Sequence, residues 1–116
     1  LIDKLKKMED LNKINWHDSP IKLLVFDCAN GVFELDFAEF GSMKEYKLSL
    51  NEAVLLESVV EGKLDFCEMD IGSVKINLLP EKNGEIEVGI IGRTNGYMGM
   101  KFSFKTSTLT RVLEEE

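Results

Sequence analysis

The spacing of hydrophobic positions changes character along the chain. Ile2, Leu5, Met8, Leu11 and Ile14 recur at three-residue steps, with Lys4, Lys6, Lys7, Glu9 and Asp10 between them. This spacing predicts an amphipathic helix over residues 2–14, made of good helix formers and blocked from continuing by Pro20. From Ile21 the period becomes two. Ile21, Leu23 and Val25 alternate with Leu24, Phe26 and Cys28, and both sets are apolar, which predicts a strand buried on both faces. Asn30-Gly31 then signals a two-residue hairpin turn, because a type I′ turn needs positive φ at both central positions. Phe33, Leu35 and Phe37 alternate with Glu34 and Asp36, so residues 21–38 read as a hairpin with one face of its second strand turned inward.

The same pattern returns later. Val74, Ile76 and Leu78 alternate with Lys75 and Asn77, then Pro80 and Asn83-Gly84 turn the chain. Ile86, Val88 and Ile90 alternate with Glu85 and Glu87, and Asn95-Gly96 turns it again. Met98, Met100, Phe102 and Phe104 follow, alternating with Lys101, Ser103 and Lys105. Residues 73–106 are therefore predicted to be a three-stranded antiparallel meander whose last strand runs on through Thr106 toward Leu113. Tyr46, Leu48 and Leu50 predict another strand. Residues 51–62 fit two readings: a helix capped by Asn51 and ended by Gly62, or a strand through Val54-Leu55-Leu56 and Val59-Val60. The expected fold class is α+β, a single domain over 1–116. In it an N-terminal helix precedes a predominantly antiparallel β-sheet, a meander with Asn-Gly hairpins, either open or curled into a sandwich or partial barrel.

Composition narrows the function classes. The 116 residues carry 21 acids against 14 bases, a net charge of −7, which disfavours binding along a phosphate backbone. The charge is unevenly spread. Residues 51–70 hold Glu52, Glu57, Glu61, Asp65, Glu68 and Asp70 against Lys63 alone, while residues 71–116 sum to zero. An acidic surface of this kind steers a basic protein partner, so these six residues are the candidate protein-binding positions. The lysines of the last meander strand alternate with phenylalanines, so the two sets lie on opposite faces and do not form an aromatic-basic nucleic-acid platform.

Catalytic and metal motifs are weak. His17 is the only histidine, in Trp16-His17-Asp18-Ser19-Pro20. Adjacent residues on an extended chain diverge, so Trp16, His17 and Asp18 read as a structural corner or a site, with no catalytic set expected. One histidine and two distant cysteines give no zinc motif, and no cofactor is expected. Two cysteines are too few for a disulfide framework; Cys28 and Cys67 are expected to be buried or half-buried thiols. No apolar run is long enough to span a membrane and the N-terminal residues lack a signal-peptide core, so a cytoplasmic location is expected.

The Trp16-His17-Asp18-Ser19 run leading into an apolar strand, then an Asn-Gly hairpin and a β-rich acidic body, resembles small bacterial immunity proteins of polymorphic toxin systems and related uncharacterised bacterial domains. The likeness is one of layout over residues 12–110. It implies a non-enzymatic protein that binds a cognate toxin and neutralises it, with an acidic surface suited to a basic toxin domain; it transfers no residue role. Two alternatives stand beside it. One is a small-ligand carrier or enzyme with a pocket between the helix and a curved sheet, motivated by Phe26, Phe33, Phe37, Phe66, Phe102 and Phe104. The other is a structural subunit that dimerises through a sheet edge. The expected state is a monomer or homodimer.

Overall fold

In the computed structural model, residues 4–8, 11–64, 68–78, 84–92 and 96–114 are described. Nine strands run through them: β1 (Lys4–Met8), β2 (Ile21–Asp27), β3 (Val32–Ala38), β4 (Glu45–Asn51), β5 (Val54–Glu61), β6 (Met69–Leu78), β7 (Gly84–Gly92), β8 (Tyr97–Phe104) and β9 (Thr106–Glu114). Every pairing is antiparallel. A five-stranded sheet has the order β1-β9-β4-β3-β2, and a four-stranded sheet the order β5-β8-β7-β6.

The α+β expectation is overturned: the chain is nearly all β, with no α-helix among the described residues. Within the stretch read as a helix, residues 4–8 form β1, which pairs with β9 from Lys4↔Glu114 to Met8↔Thr110. Among the described residues of that stretch only Leu11–Lys13 makes a helical turn, and it is 3₁₀. The physical reason is partnership. A helix of about 13 residues is marginal alone and needs its apolar stripe covered. Here the inner faces of the two sheets cover each other, and β9 offers an open edge whose backbone groups β1 satisfies.

The core lies between the sheets. Phe33, Leu35 and Phe37 of β3, Leu48 and Leu50 of β4 and Leu109 of β9 meet Ile71, Ile86, Val88, Ile90 and Phe102 of the smaller sheet, all essentially without solvent contact. Phe102 is the principal cross-sheet contact, with ring centroids 4.5 Å from Phe33 and 5.2 Å from Phe26. The phenylalanines that motivated a ligand cavity therefore fill the core, apart from Phe66, which lies outside the described residues. Among the described residues there is no α-helix to form a pocket against the sheet.

One two-stranded ribbon belongs to both sheets. The β4–β9 ladder ends at Asn51↔Thr106, and the β5–β8 ladder starts at Val54↔Ser103. Between them the chain turns through Glu52 at φ 50°, Ala53 N–H donates to the Gly31 carbonyl at 2.8 Å, and Lys105 N–H donates to the Asn51 carbonyl at 3.1 Å. The tail read as a continuation of the last meander strand is thus a separate strand in the other sheet. The ambiguous 51–62 segment is β5.

Two local expectations are corrected as well. The loop between β2 and β3 spans the four residues 28–31, with positive φ at Gly31 but not at Asn30, so it is not a two-residue type I′ turn. Asp27 organises it instead. Its carboxylate accepts from Asn30 Nδ2 at 2.8 Å and from the Ala29 and Asn30 backbone N–H groups. These bonds, the Asn30 side chain foremost, hold the Asp27 carboxyl below the usual carboxylate range. The turn therefore keeps this support above the ordinary aspartate pKa and loses it as pH falls through the lowered value. Second, β2 is an edge strand exposing Leu23 and Val25 rather than a strand buried on both faces, and Cys28 at its end is exposed and free. Cys67 lies outside the described residues.

Candidate functional site

β5 forms because Val54, Leu55, Leu56, Val59 and Val60 are strand-favouring and because Gly62, at φ 71°, lets the chain leave the sheet. It pairs with β8 on one side and is free on the other. All eight of its residues are exposed, Val59 at 49% and Val60 at 61%. Leu55, Ser58 and Val60 pair with Phe102, Met100 and Met98, which puts them on the inner face. The large sheet nevertheless leaves them uncovered. Glu57, Val59 and Glu61 pair with Lys101, Gly99 and Tyr97 on the outer face. A bulge at Leu56 interrupts the ladder between Leu55 and Glu57, leaving 57–61 as the regular run.

β2 and β6 lie beside each other and are bridged at Pro20↔Asp70. β5 has neither lysine nor proline, and half of its backbone N–H and C=O groups point away from β8.

The outer face of the small sheet carries a transverse row of alternating charge. Lys75 on β6 is opposite Glu87 on β7, Glu87 is opposite Lys101 on β8, and Lys101 is opposite Glu57 on β5. The Lys101 ammonium turns toward Glu85, at 3.7 Å, and Glu57 has no ion pair among the described residues. In the next row Gly89 and Gly99 face each other, and the Tyr97 ring covers both. A methyl group at Gly99 would stand 2.9 Å from the Tyr97 hydroxyl, so glycine here makes room for the ring. These features shape a shallow depression of about 260 Å³ lined by Glu57, Ser73, Lys75, Glu87, Tyr97 and Lys101, among others.

The six acidic candidates do not form one patch. Glu57 and Glu61 share the outer face of β5, and Glu52, at the strand crossing, pairs with Lys105 at 3.7 Å. Asp70 lies on β6, in the same row as Glu61 but three strands away, about 14–15 Å. Glu68 is exposed just before β6, and Asp65 lies outside the described residues. The row partners Lys75, Glu87 and Lys101 were not singled out from the sequence. Alternation places each of them outward, but their mutual register depends on the fold.

Trp16, His17 and Asp18 make a corner that joins the sheets. Trp16 stacks at a tilt on Phe37, centroids 5.0 Å apart, and its Nε1–H donates to the Leu11 carbonyl. His17 Nδ1 donates to the Gly72 carbonyl at 2.7 Å, which fixes the tautomer, and Nε2 stands 3.4 Å from Asp18 Oδ1. Asp18, at φ 68°, donates its N–H to the Ile71 carbonyl, and Ile71 N–H returns a bond to the Ser19 carbonyl, both 2.8 Å. The imidazole is thus tied to backbone through Nδ1.

Among the described residues no group of three or more histidine, cysteine, aspartate or glutamate side chains is placed to hold a metal ion. No helix among them is long and apolar enough to cross a membrane. Set against known proteins, the chain matches no family model, no curated protein and no solved structure.

Proposed function

We propose that this protein is a non-enzymatic protein-binding module that engages its partner along the free edge of β5. The observation that carries the reading is an eight-residue edge strand, exposed throughout and carrying apolar side chains on both faces, that contains neither lysine nor proline. Exposed apolar surface of this sort marks interaction sites. Glu57 and Glu61 on the same strand favour a basic partner.

In its most specific form the reading is an immunity protein that neutralises a basic toxin domain, as the resemblance of residues 12–110 implies. The test is co-expression with the toxic domain encoded by the neighbouring gene. Wild-type protein is expected to bind that domain and restore growth. Val59→Lys, an exposed change on β5 with an expected stability effect within about 0.5 kcal/mol, is expected to abolish both. Absence of a toxin gene beside this one, or full protection by Val59→Lys, would contradict the immunity reading.

A further inference from the structure

We infer that the strand received by β5 has the pattern basic, apolar, apolar, apolar, basic, with its two Lys or Arg side chains opposite Glu57 and Glu61. The inference rests on β5 being the binding edge and specifies what that edge selects.

The argument starts from the charge row. Directly opposed residues in neighbouring strands share a face and interact, opposite charges favourably and like charges unfavourably. Across the small sheet the row reads Lys75, Glu87, Lys101, Glu57, and it stops at a carboxylate on the open edge. A fifth strand extends the alternation only if it places a cation beside Glu57. Four residues along, Glu61 lies on the same face and pairs with Tyr97, so it has no cationic neighbour on β8. The spacing of the two carboxylates requires two basic residues four apart.

The three positions between them follow from the faces. Val59, beside Gly99, asks for an apolar side chain on the outer face. Ser58 and Val60, in line with Met100 and Met98, lie on the inner face that the large sheet does not reach, so apolar residues opposite them extend the core. The regular run beyond the Leu56 bulge, residues 57–61, is the length of this five-residue pattern.

Charge also argues against a second copy of β5 as the occupant. The strand Val54–Glu61 contains no basic residue, so self-pairing in any register leaves Glu57 and Glu61 facing neutral or acidic side chains. Symmetric pairing about Ser58 sets Glu57 opposite Val59 of a second copy and Glu61 opposite Leu55.

Capped peptides containing Lys-Val-Ile-Val-Lys, Gln-Val-Ile-Val-Gln or Glu-Val-Ile-Val-Glu between Ser-Thr flanks, titrated to millimolar concentration by NMR, test this. The lysine peptide is expected to bind about tenfold more tightly than the glutamine peptide and the glutamate peptide least, with amide shifts centred on residues 57–61. Glu57→Lys combined with Glu61→Lys is expected to reverse the order. Equal binding of the three peptides at β5 would overturn the charge pattern while leaving β5 as the edge. Shifts located elsewhere would overturn both readings. No binding at millimolar concentration, or a concentration-dependent dimer through β5 in sedimentation, would overturn the inference.

Discussion

Replacing Phe102 with alanine is expected to cost about 3–5 kcal/mol, the range for removing a large aromatic side chain from a packed interior. Phe102 is fully buried on β8, and it is the side chain of the small sheet that touches rings on two strands of the large one. Truncation removes the edge-on contact with Phe26 and the tilted contact with Phe33 together. The rigid ladders on either side of β8, to β5 and to β7, keep the cavity from closing. Urea denaturation followed by tryptophan fluorescence reads the loss. Because a domain of this size has about 5–15 kcal/mol in all, the variant is expected to be partly unfolded at 37 °C. A change below about 1 kcal/mol would mean that the two sheets do not share the core described.

The second large effect is expected at Ser19. This side chain is fully buried, yet it is polar, and both of its hydrogen bonds bind separate segments. Its hydroxyl donates to the Asn15 carbonyl and accepts from the Phe40 N–H, each at 2.9 Å. Its own carbonyl accepts from Ile71 in the small sheet. Ser19→Ala therefore takes the hydroxyl from the Asn15 carbonyl and the Phe40 N–H, two backbone groups on exposed residues, at about 0.5–1.5 kcal/mol each. The expected loss is about 1–3 kcal/mol, accompanied by faster hydrogen exchange at the Phe40 amide. His17→Ala provides the contrast. That ring is exposed and its bond to Gly72 has water as an alternative, so its removal is expected to cost about 1 kcal/mol or less.

What was legible in the sequence was the face, and what was not was the partner. Phe33, Leu35 and Phe37 alternate with acids and are buried as that alternation requires, because β3 has one face on the core and one in water. The same rule failed for β2. Its two apolar faces signal a covered strand only if something covers the second face, and β2 lies at an edge. Residues 4–8 had helical spacing, but spacing over so short a run does not exclude a strand, and the open side of β9 decided it. β5 was harder still. Its apolar run is what a buried strand looks like, and its exposure arises because the large sheet stops short of it. The acids at 52, 57 and 61 were visible as charge, but their division between a paired crossing residue and two unpaired edge residues needed Lys105 and Lys101 in place. The row from Lys75 to Glu57 depends on register across four strands, which a period of two cannot supply.

The central claim is that β5 accepts a strand, and hydrogen exchange of its backbone amides tests this most directly. In the free protein the outward-pointing amides among residues 57–61 are expected to exchange quickly, while those bonded to β8 are protected. Saturation with the Lys-Val-Ile-Val-Lys peptide is expected to protect the outward set and to leave β1, β2 and β6 unchanged. Unaltered exchange across 57–61 in the saturated complex, or new protection confined to another edge, would contradict the account.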